Sequence, residues 1–415
     1  MVITFYDSYN ILNKVYGEKA FVKQALLDVA IRESTRSQTT KICYGVLDKD
    51  ITLEYIISKL CAKMPKQKIK TILKIGLYSI IYLKNAPHVV TDACVELIKK
   101  LGKGGTAGFV NAILRNYLRN GVEINECGNL GLSIKYSYPL FVVNNLVNDY
   151  GKTEAEKIMA YDTEHTFINF NDGIDGEKYL KNLKKEYNLT PFTNCFEVKN
   201  FKMNEDFYDG VYTFQSVGSV AICDAVKGGN NLLDTCSAPG GKAVLLSNKF
   251  DSVTALELHS HRKDLIDSYA KRMKKQNITT RCVDSTVYLE EYDSNFDAVL
   301  CDSPCSGLGV LKDNPDIKLN RDEKSIKELN VIQLKLLNNV CKYVKVGGTL
   351  YYSTCSILKS ENVDIALKFL KENQNFESVE ITSPLSSVKQ EVGLQFLPHI
   401  SNGAGFYVSA FKRIK

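Results

Sequence analysis

Apolar residues recur at three- and four-residue steps through the first 125 positions, the spacing that places side chains on one face of a helix. The segments with this pattern are 10–30, 51–60, 69–83, 92–101 and 107–118. Pro65, Pro87 and the run Gly102-Lys103-Gly104-Gly105 separate them, since proline and glycine interrupt helices. The pattern predicts a small all-helical bundle over residues 1–125.

The helical pattern weakens over residues 123–132, so a domain boundary is expected there. Helical periodicity returns over residues 138–160. Residues 167–211 then mix short strand patterns with a helix rich in Lys and Glu. We therefore predict a small α+β subdomain over residues 130–211.

From about residue 212 the pattern alternates between strands and helices. The predicted strands are 231–235, 253–258, 279–283, 296–302 and 349–354, and the predicted helices are 242–248, 261–276, 323–344 and 361–371. Strands that alternate with helices through short turns indicate a mainly parallel, doubly wound α/β sheet over residues 212–415. A further strand over residues 405–412 is a candidate for an antiparallel edge.

The composition is typical of a globular protein, with 44% hydrophobic and 24% charged residues among 415. No run of about 18 apolar residues suggests a membrane span, and the N-terminus lacks the pattern of a signal peptide. The twelve cysteines include no Cys-x-x-Cys pair. We therefore expect free thiols in the cytoplasm, without a structural metal site.

The positive charge is concentrated at the N-terminal end. Residues 1–125 hold 19 Lys and Arg against 10 Asp and Glu, whereas the whole chain has a net charge of +6. This distribution fits a helical module that faces phosphates, attached to a nearly neutral body. A solvated helical surface explains the charge equally well.

A glycine-containing loop follows the predicted strand that ends at Asp234. It reads Cys236-Ser237-Ala238-Pro239-Gly240-Gly241-Lys242. Glycines after a strand let the backbone approach a cofactor closely, and this loop is neither Gly-x-Gly-x-x-Gly nor a Walker loop. It suits the amino acid tail of a nucleoside cofactor, although an ordinary strand-to-helix turn remains possible. Glu257, at the end of the next strand, has the spacing of a carboxylate that binds ribose hydroxyls.

Two cysteines follow the last two predicted parallel strands, Cys305 after Asp302 and Cys355 after Thr354. A thiolate can add to carbon 6 of cytosine and make carbon 5 nucleophilic toward a sulfonium methyl group. Such a scheme also needs charge stabilisation and a base, for which Asp302 and Lys242 are candidates. Either cysteine alone could be a buried core thiol, and spacing does not decide which one attacks.

These motifs resemble those of bacterial Sun/NusB-type 16S ribosomal RNA cytosine-5 methyltransferases. The resemblance rests on the loop 236–242, on Asp302-Ser303-Pro304-Cys305, on Ser353-Thr354-Cys355-Ser356 and on Gly108-Phe109-Val110-Asn111-Ala112-Ile113-Leu114-Arg115. It implies an N-terminal NusB-like RNA-binding domain, a middle RNA-binding subdomain and a C-terminal Rossmann-like methyltransferase domain. One segment departs from the family pattern of Arg-Arg before Pro-Asp-Ile-Lys-Trp. Here it reads Lys312-Asp313-Asn314-Pro315-Asp316-Ile317-Lys318-Leu319.

The resemblance also implies the cofactor, S-adenosylmethionine, and the residues that hold it. The loop from Cys236 to Lys242 would hold the methionine part, and Glu257 the ribose hydroxyls. Asp284 and Asp302 would complete this site. Spacing alone leaves Asp284 equally consistent with a helix cap.

In enzymes of this family that act on RNA, the cysteine of the Thr-Cys motif attacks, which implies Cys355 as the nucleophile. Cys305 would then help release the product, and Asp302 would also contact the cytosine. The expected partner is small-subunit ribosomal RNA, with no DNA, metal or membrane, and the protein is expected to be a monomer. The alternatives are the same chemistry on transfer RNA and a non-catalytic RNA-binding or assembly factor.

Overall fold

The computed structural model describes residues 1–403 and 405–415, and the chain divides into two compact units. The helical unit comprises Met1–Ala160 and Leu311–Arg321, and the sheet unit comprises Tyr161–Val310 and Asp322–Lys415. This division differs from the three predicted domains, because residues 130–160 group with the N-terminal helices and residues 161–211 group with the large sheet.

The helical unit confirms the predicted all-helical bundle. Its helices are α1 (Val2–Glu18), α2 (Val22–Asp28), α3 (Glu33–Asp48), α4 (Asp50–Leu60), α5 (Gln67–Ile81), α6 (Pro87–Lys100), α7 (Ala107–Asn120), α8 (Gly128–Tyr136), α9 (Leu140–Tyr150) and α10 (Lys152–Ala160). Pro87 begins α6 rather than separating helices, because the first turn of a helix needs no amide hydrogen there. Helix α8 joins this unit through α4, where Thr52 donates a hydrogen bond to the carbonyl of Ile134 at 2.5 Å.

A small antiparallel sheet begins the sheet unit. Its elements are β1 (Thr166–Phe170), α11 (Gly176–Asn182), β2 (Tyr187–Leu189), β3 (Cys195–Val198), α12 (Glu205–Tyr208) and β4 (Tyr212–Phe214). The described strands pair in the order β2-β3-β1-β4. The predicted α+β mixture is therefore present, built around an aromatic core that includes Phe170, Phe196 and Tyr212.

The large sheet follows. Its strands are β5 (Gly229–Asp234), β6 (Phe250–Glu257), β7 (Ile278–Cys282), β8 (Phe296–Asp302), β9 (Val344–Thr354), β10 (Phe376–Val379), β11 (Val388–Lys389), β12 (Leu394–Phe396) and β13 (Phe406–Arg413). The helices α14 (Gly241–Leu246) and α15 (Ser260–Arg272) pack against β6, and α13 (Val217–Ala225) packs against α14 and β13. The small sheet is tied to this body because Arg272 donates to the carbonyls of Phe207 at 2.7 Å and Tyr212 at 3.2 Å.

The order of the strands in the large sheet determines which strand ends lie side by side. Within the described residues it is β11-β12-β13-β9-β8-β5-β6-β7, with β10 also paired to β13. Strands β5 to β9 run parallel, which confirms the predicted Rossmann-like sheet. Strand β13 is antiparallel to β9, as expected, but it is not an edge because β12 and β10 pair with its other side.

The segment Leu311–Arg321, which contains α16 (Ile317–Asn320), belongs to the helical unit. This segment contains the departure from the family pattern noted in the sequence. The buried ammonium of Lys318 contacts Asp48 Oδ1 at 3.0 Å, and Lys312 contacts Asp48 Oδ2 at 3.5 Å. Burial alone would raise the pKa of Asp48, but these lysines and Lys49 hold it well below its usual range. The two lysines therefore anchor the segment.

Helices α17 (Glu323–Val340), α18 (Val363–Glu372) and α19 (Pro398–Ser401) complete the sheet unit. Helix α17 begins with a capping box, in which the Asp322 side chain accepts from the Ser325 amide at 2.8 Å. In the described part of the chain, no helix combines the length and the apolar character that crossing a bilayer requires.

Candidate active site

The carboxyl ends of β9, β8, β5, β6 and β7 lie side by side along one edge of the sheet, because these neighbours are parallel. The order reverses direction at β5 and β8, where open α/β sheets bind their ligands. The two cysteine motifs follow β8 and β9, and the glycine loop follows β5. Most of the residues selected from the sequence therefore lie along a single edge of the sheet.

The two predicted catalytic thiols face each other. Cys305 Sγ lies 3.2 Å from Cys355 Sγ, and both residues are partly exposed. The hydrogen bond with Cys355 and burial raise the pKa of the Cys305 thiol well above its usual value. Cys305 therefore favours its protonated form near neutral pH.

Asp302 and Lys242 form an ion pair beside the thiols. Lys242 Nζ lies 2.6 Å from Asp302 Oδ2, and the Ser353 hydroxyl donates to Asp302 Oδ1 at 2.7 Å. Burial alone would lower the pKa of Lys242, but Asp302 raises it above its ordinary value. Lys242 therefore favours its protonated form, in which it pairs with the Asp302 carboxylate and fixes its position.

The glycine loop is held by its backbone. The amide of Ser237 donates to the carbonyl of Leu256 at 2.9 Å, which ties the loop to β6. Gly240 has a φ of +103°, and a Cβ there would lie 3.1 Å from the Ile266 side chain. Only glycine fits without strain at this position. Cys236, in contrast, turns its thiol toward a hydrophobic cluster of the sheet unit.

Three polar side chains at this edge are buried and make no hydrogen bond of good geometry among the described residues. They are the carboxylate of Asp234 and the hydroxyls of Ser237 and Ser303. Burial, followed by the charge of Asp302, raises the pKa of Asp234 to about 7, although Ser237 and the Cys236 amide lie close enough to Asp234 to lower its pKa in part. Buried polar groups are usually satisfied, so these atoms indicate a polar ligand at the loop.

The two outer acidic residues differ. Glu257 ends β6 and is buried, and its Oε1 accepts from the His259 amide at 3.2 Å and contacts Arg262 at 3.4 Å. Asp284 is exposed after β7 and accepts from the amide of Thr286 at 2.8 Å. That bond closes a turn and not a helix, so Asp284 has a local structural role whether or not it contacts a ligand.

Ser353 was predicted only as part of the motif around Cys355, and Glu361 was not predicted, although both contact the predicted site. Ser353 is paired in register with Asp302 across β8 and β9, so strand alignment could have indicated it. Glu361 lies beyond β9 in a short 3-10 turn and bonds to the serines that follow both cysteines. No local motif pointed to that convergence.

Comparison with known proteins identifies the family. The model for 16S rRNA methyltransferase RsmB/F matches residues 221–412, and the NusB family model matches residues 8–119. The probable ribosomal RNA small subunit methyltransferase B of Bacillus subtilis is 30% identical over 436 aligned residues, covering 97% of this chain and 95% of that protein. This chain belongs to the ribosomal RNA small subunit methyltransferase B family. The predicted family is thereby confirmed.

Other members of the methyltransferase B family match over nearly the same length. The proteins of Serratia proteamaculans and Escherichia coli K12 are each 26% identical, cover 92% of this chain and are themselves covered over 91%. Among solved structures, PH0851 superposes with a TM-score of 0.83 at 20% identity, covering 100% of this chain and 99% of that one. NSun6 from Pyrococcus horikoshii, solved with SFG, gives a TM-score of 0.58 at 19% identity, with 66% and 97% covered. These structures support the fold assignment.

Proposed function

We propose that this protein transfers a methyl group from S-adenosylmethionine to carbon 5 of a cytosine in small-subunit ribosomal RNA, through a covalent bond between Cys355 and the base. The observation that carries the proposal is the pair of thiols 3.2 Å apart at the ends of two parallel strands. Membership of the methyltransferase B family supports the RNA substrate and the type of reaction.

The residues suggest a sequence of steps. The Cys355 thiolate adds to carbon 6 of the ring, and the electron pair of the C5–C6 double bond makes carbon 5 nucleophilic. After methylation, the proton on carbon 5 passes to a base, for which the Asp302 carboxylate is the candidate, the double bond between carbons 5 and 6 re-forms, and Cys355 leaves as the thiolate. Cys305 assists this release from its position beside the attacking sulfur, while Asp302, fixed by Lys242, orients the cytosine.

The cofactor fits the groups at the glycine loop. S-adenosylmethionine, when bound, supplies its methyl group as an electrophile. The backbone from Cys236 to Lys242 would hold the methionine part, near the buried oxygens of Asp234 and Ser237, which make no hydrogen bond of good geometry among the described residues. Glu257 would accept the ribose hydroxyls through Oε2, which its protein contacts do not use. Asp284 and Asp302 would complete the site.

The helical unit supports binding to RNA. Its excess of Lys and Arg includes Arg115 and Arg119, which are exposed one turn apart on α7. Phosphate contacts of this kind position a nucleic acid without reading its sequence, so base selection would occur at the thiols. The target cytosine would have to leave its stack to reach them.

The direct test is methyl transfer from labelled S-adenosylmethionine to protein-free small-subunit ribosomal RNA, followed by nucleoside analysis. We expect the label in 5-methylcytosine. Label in another nucleoside would contradict the proposed chemistry. If only transfer RNA became labelled, the substrate would be transfer RNA and not ribosomal RNA. RNA binding without methyl transfer would favour an assembly factor.

Replacing Gly240 with alanine should weaken S-adenosylmethionine binding by about tenfold to a hundredfold, because the added Cβ meets Ile266 and displaces the loop. Isothermal titration calorimetry measures the effect. Gly347→Ala is the matched control, since Gly347 has a φ of +83° but no atom within 4 Å of the added Cβ. Equal affinities in the two variants would exclude the loop as the cofactor site.

A further inference from the structure

Glu361 lies at the centre of the two cysteine loops and has no exposed surface. Its Oε2 accepts hydrogen bonds from the hydroxyls of Ser306 and Ser356, each at 2.5 Å. Its Oε1 accepts from the amide of Ser306 at 2.7 Å and from Gln333 Nε2 at 3.2 Å. Ser306 and Ser356 directly follow Cys305 and Cys355. One carboxylate therefore connects the backbones that carry the two thiols.

The neighbouring residues strengthen this connection. Gln333, which is also fully buried, donates to the carbonyl of Pro304 at 3.0 Å, just before Cys305. On the other loop, Asn362 accepts from the Thr354 hydroxyl at 2.5 Å and donates to the carbonyl of Ser356 at 3.0 Å. The chain is thus held on both sides of each cysteine by buried side chains.

A carboxylate buried in this way is costly unless all its acceptor positions are used. Here both oxygens have two donors each, so the charge is compensated by hydrogen bonds that converge from the two cysteine loops and from Gln333 on α17. Core packing would not require that convergence. Hydrogen bonds from both cysteine loops to one carboxylate would instead keep the two sulfur atoms at a fixed separation. Such a separation matters because small misplacements at a reacting centre reduce rates strongly.

We propose that Glu361 is a positioning residue that sets the spacing of Cys305 and Cys355 by holding Ser306 and Ser356. The proposal rests on the function proposed above, since the spacing of the two thiols matters for catalysis only if both take part in methyl transfer. The spacing itself is a property of the protein alone. The Glu361 charge also contributes, after the Cys355 hydrogen bond and burial, to the raised pKa of the Cys305 thiol.

Two substitutions distinguish the effect of the length of the Glu361 side chain from the effect of its charge. Glu361→Asp keeps the charge but shortens the side chain by one methylene, so it cannot reach both serine hydroxyls. Glu361→Gln keeps the reach, because its amide nitrogen can donate to hydroxyls that turn to accept. Glu377→Asp is the matched control, since Glu377 is exposed on β10. Thermal unfolding of each variant checks that the fold is retained.

Phenylarsine oxide reports the spacing without RNA or cofactor. Its arsenic forms two As–S bonds with adjacent thiols, and the arsenic oxygen leaves as water with both thiol protons. We expect its affinity to fall at least about tenfold in Glu361→Asp and to stay within about threefold in Glu361→Gln and Glu377→Asp. Mass spectrometry of peptides containing Cys305 and Cys355 confirms the site of capture.

Turnover gives the second measurement. In Glu361→Asp, kcat should fall about a hundredfold while KM for RNA changes less than about threefold, because the thiols and not the RNA surface are displaced. Wild-type arsenical affinity in Glu361→Asp would overturn the proposal, and so would an equal loss in Glu361→Gln. The wild-type protein could also fail to transfer a methyl group while the variants still differ in arsenical affinity as expected. The proposed function would then fail, and the positioning role of Glu361 would stand.

Discussion

Cys355→Ala is expected to abolish methyl transfer, with a loss of at least about 10⁴-fold in kcat, comparable to removal of other covalent nucleophiles. Cys305 Sγ lies 3.2 Å from Cys355 Sγ, so it is displaced from the position from which the proposed scheme attacks carbon 6. Transfer of label to small-subunit ribosomal RNA measures the loss. Binding of S-adenosylmethionine should change little, because the glycine loop follows a different strand, β5.

Cys282→Ala provides the matched control for this experiment. Cys282 is an exposed thiol at the end of β7, on the same edge of the sheet, and its removal should leave turnover intact. Normal turnover in Cys355→Ala would disprove its role as the nucleophile. If Cys355→Ala also lost S-adenosylmethionine binding, the substitution would have damaged the whole site. The loss of turnover would then not identify Cys355 as the nucleophile.

The parallel strands were predictable because their apolar runs are short and end at polar residues. Strand β8 begins and ends at the predicted residues, and its last residue, Asp302, meets Lys242 as the candidate chemistry required. Helix α3 was missed because its first half, from Glu33 to Thr40, is polar and carries little periodic signal. Its apolar residues lie in the second half, where the core covers them.

The spacing of the site could not be predicted from local pattern. The sequence placed Cys305 and Cys355 at strand ends, and the parallel pairing of β8 with β9 brought them together. The role of Glu361 depends on two serines that lie 50 residues apart, so no motif contains it. The segment Leu311–Arg321 belongs to the helical unit, where Lys318 forms an ion pair with Asp48. The two residues are far apart in the sequence, so no local pattern predicted this contact.

Cys305→Ala should slow turnover and accumulate a covalent complex of protein and RNA. The Cys355 adduct forms first in the proposed scheme, and Cys305, 3.2 Å away, assists its breakdown. Removing the thiol therefore blocks release more than attack. Incubation with S-adenosylmethionine and small-subunit ribosomal RNA, followed by a denaturing gel, should reveal a band of reduced mobility that nuclease treatment shifts back.

The double substitution Cys305→Ala with Cys355→Ala decides which sulfur carries the RNA. It should form no adduct, whereas Cys305→Ala alone forms one, because only Cys355 can make the bond to carbon 6. An adduct in the double variant would place the nucleophile elsewhere. Normal turnover without adduct in Cys305→Ala would assign Cys305 to packing. The proximity of the two thiols would then serve only to keep Cys355 in place, and another group would have to support release.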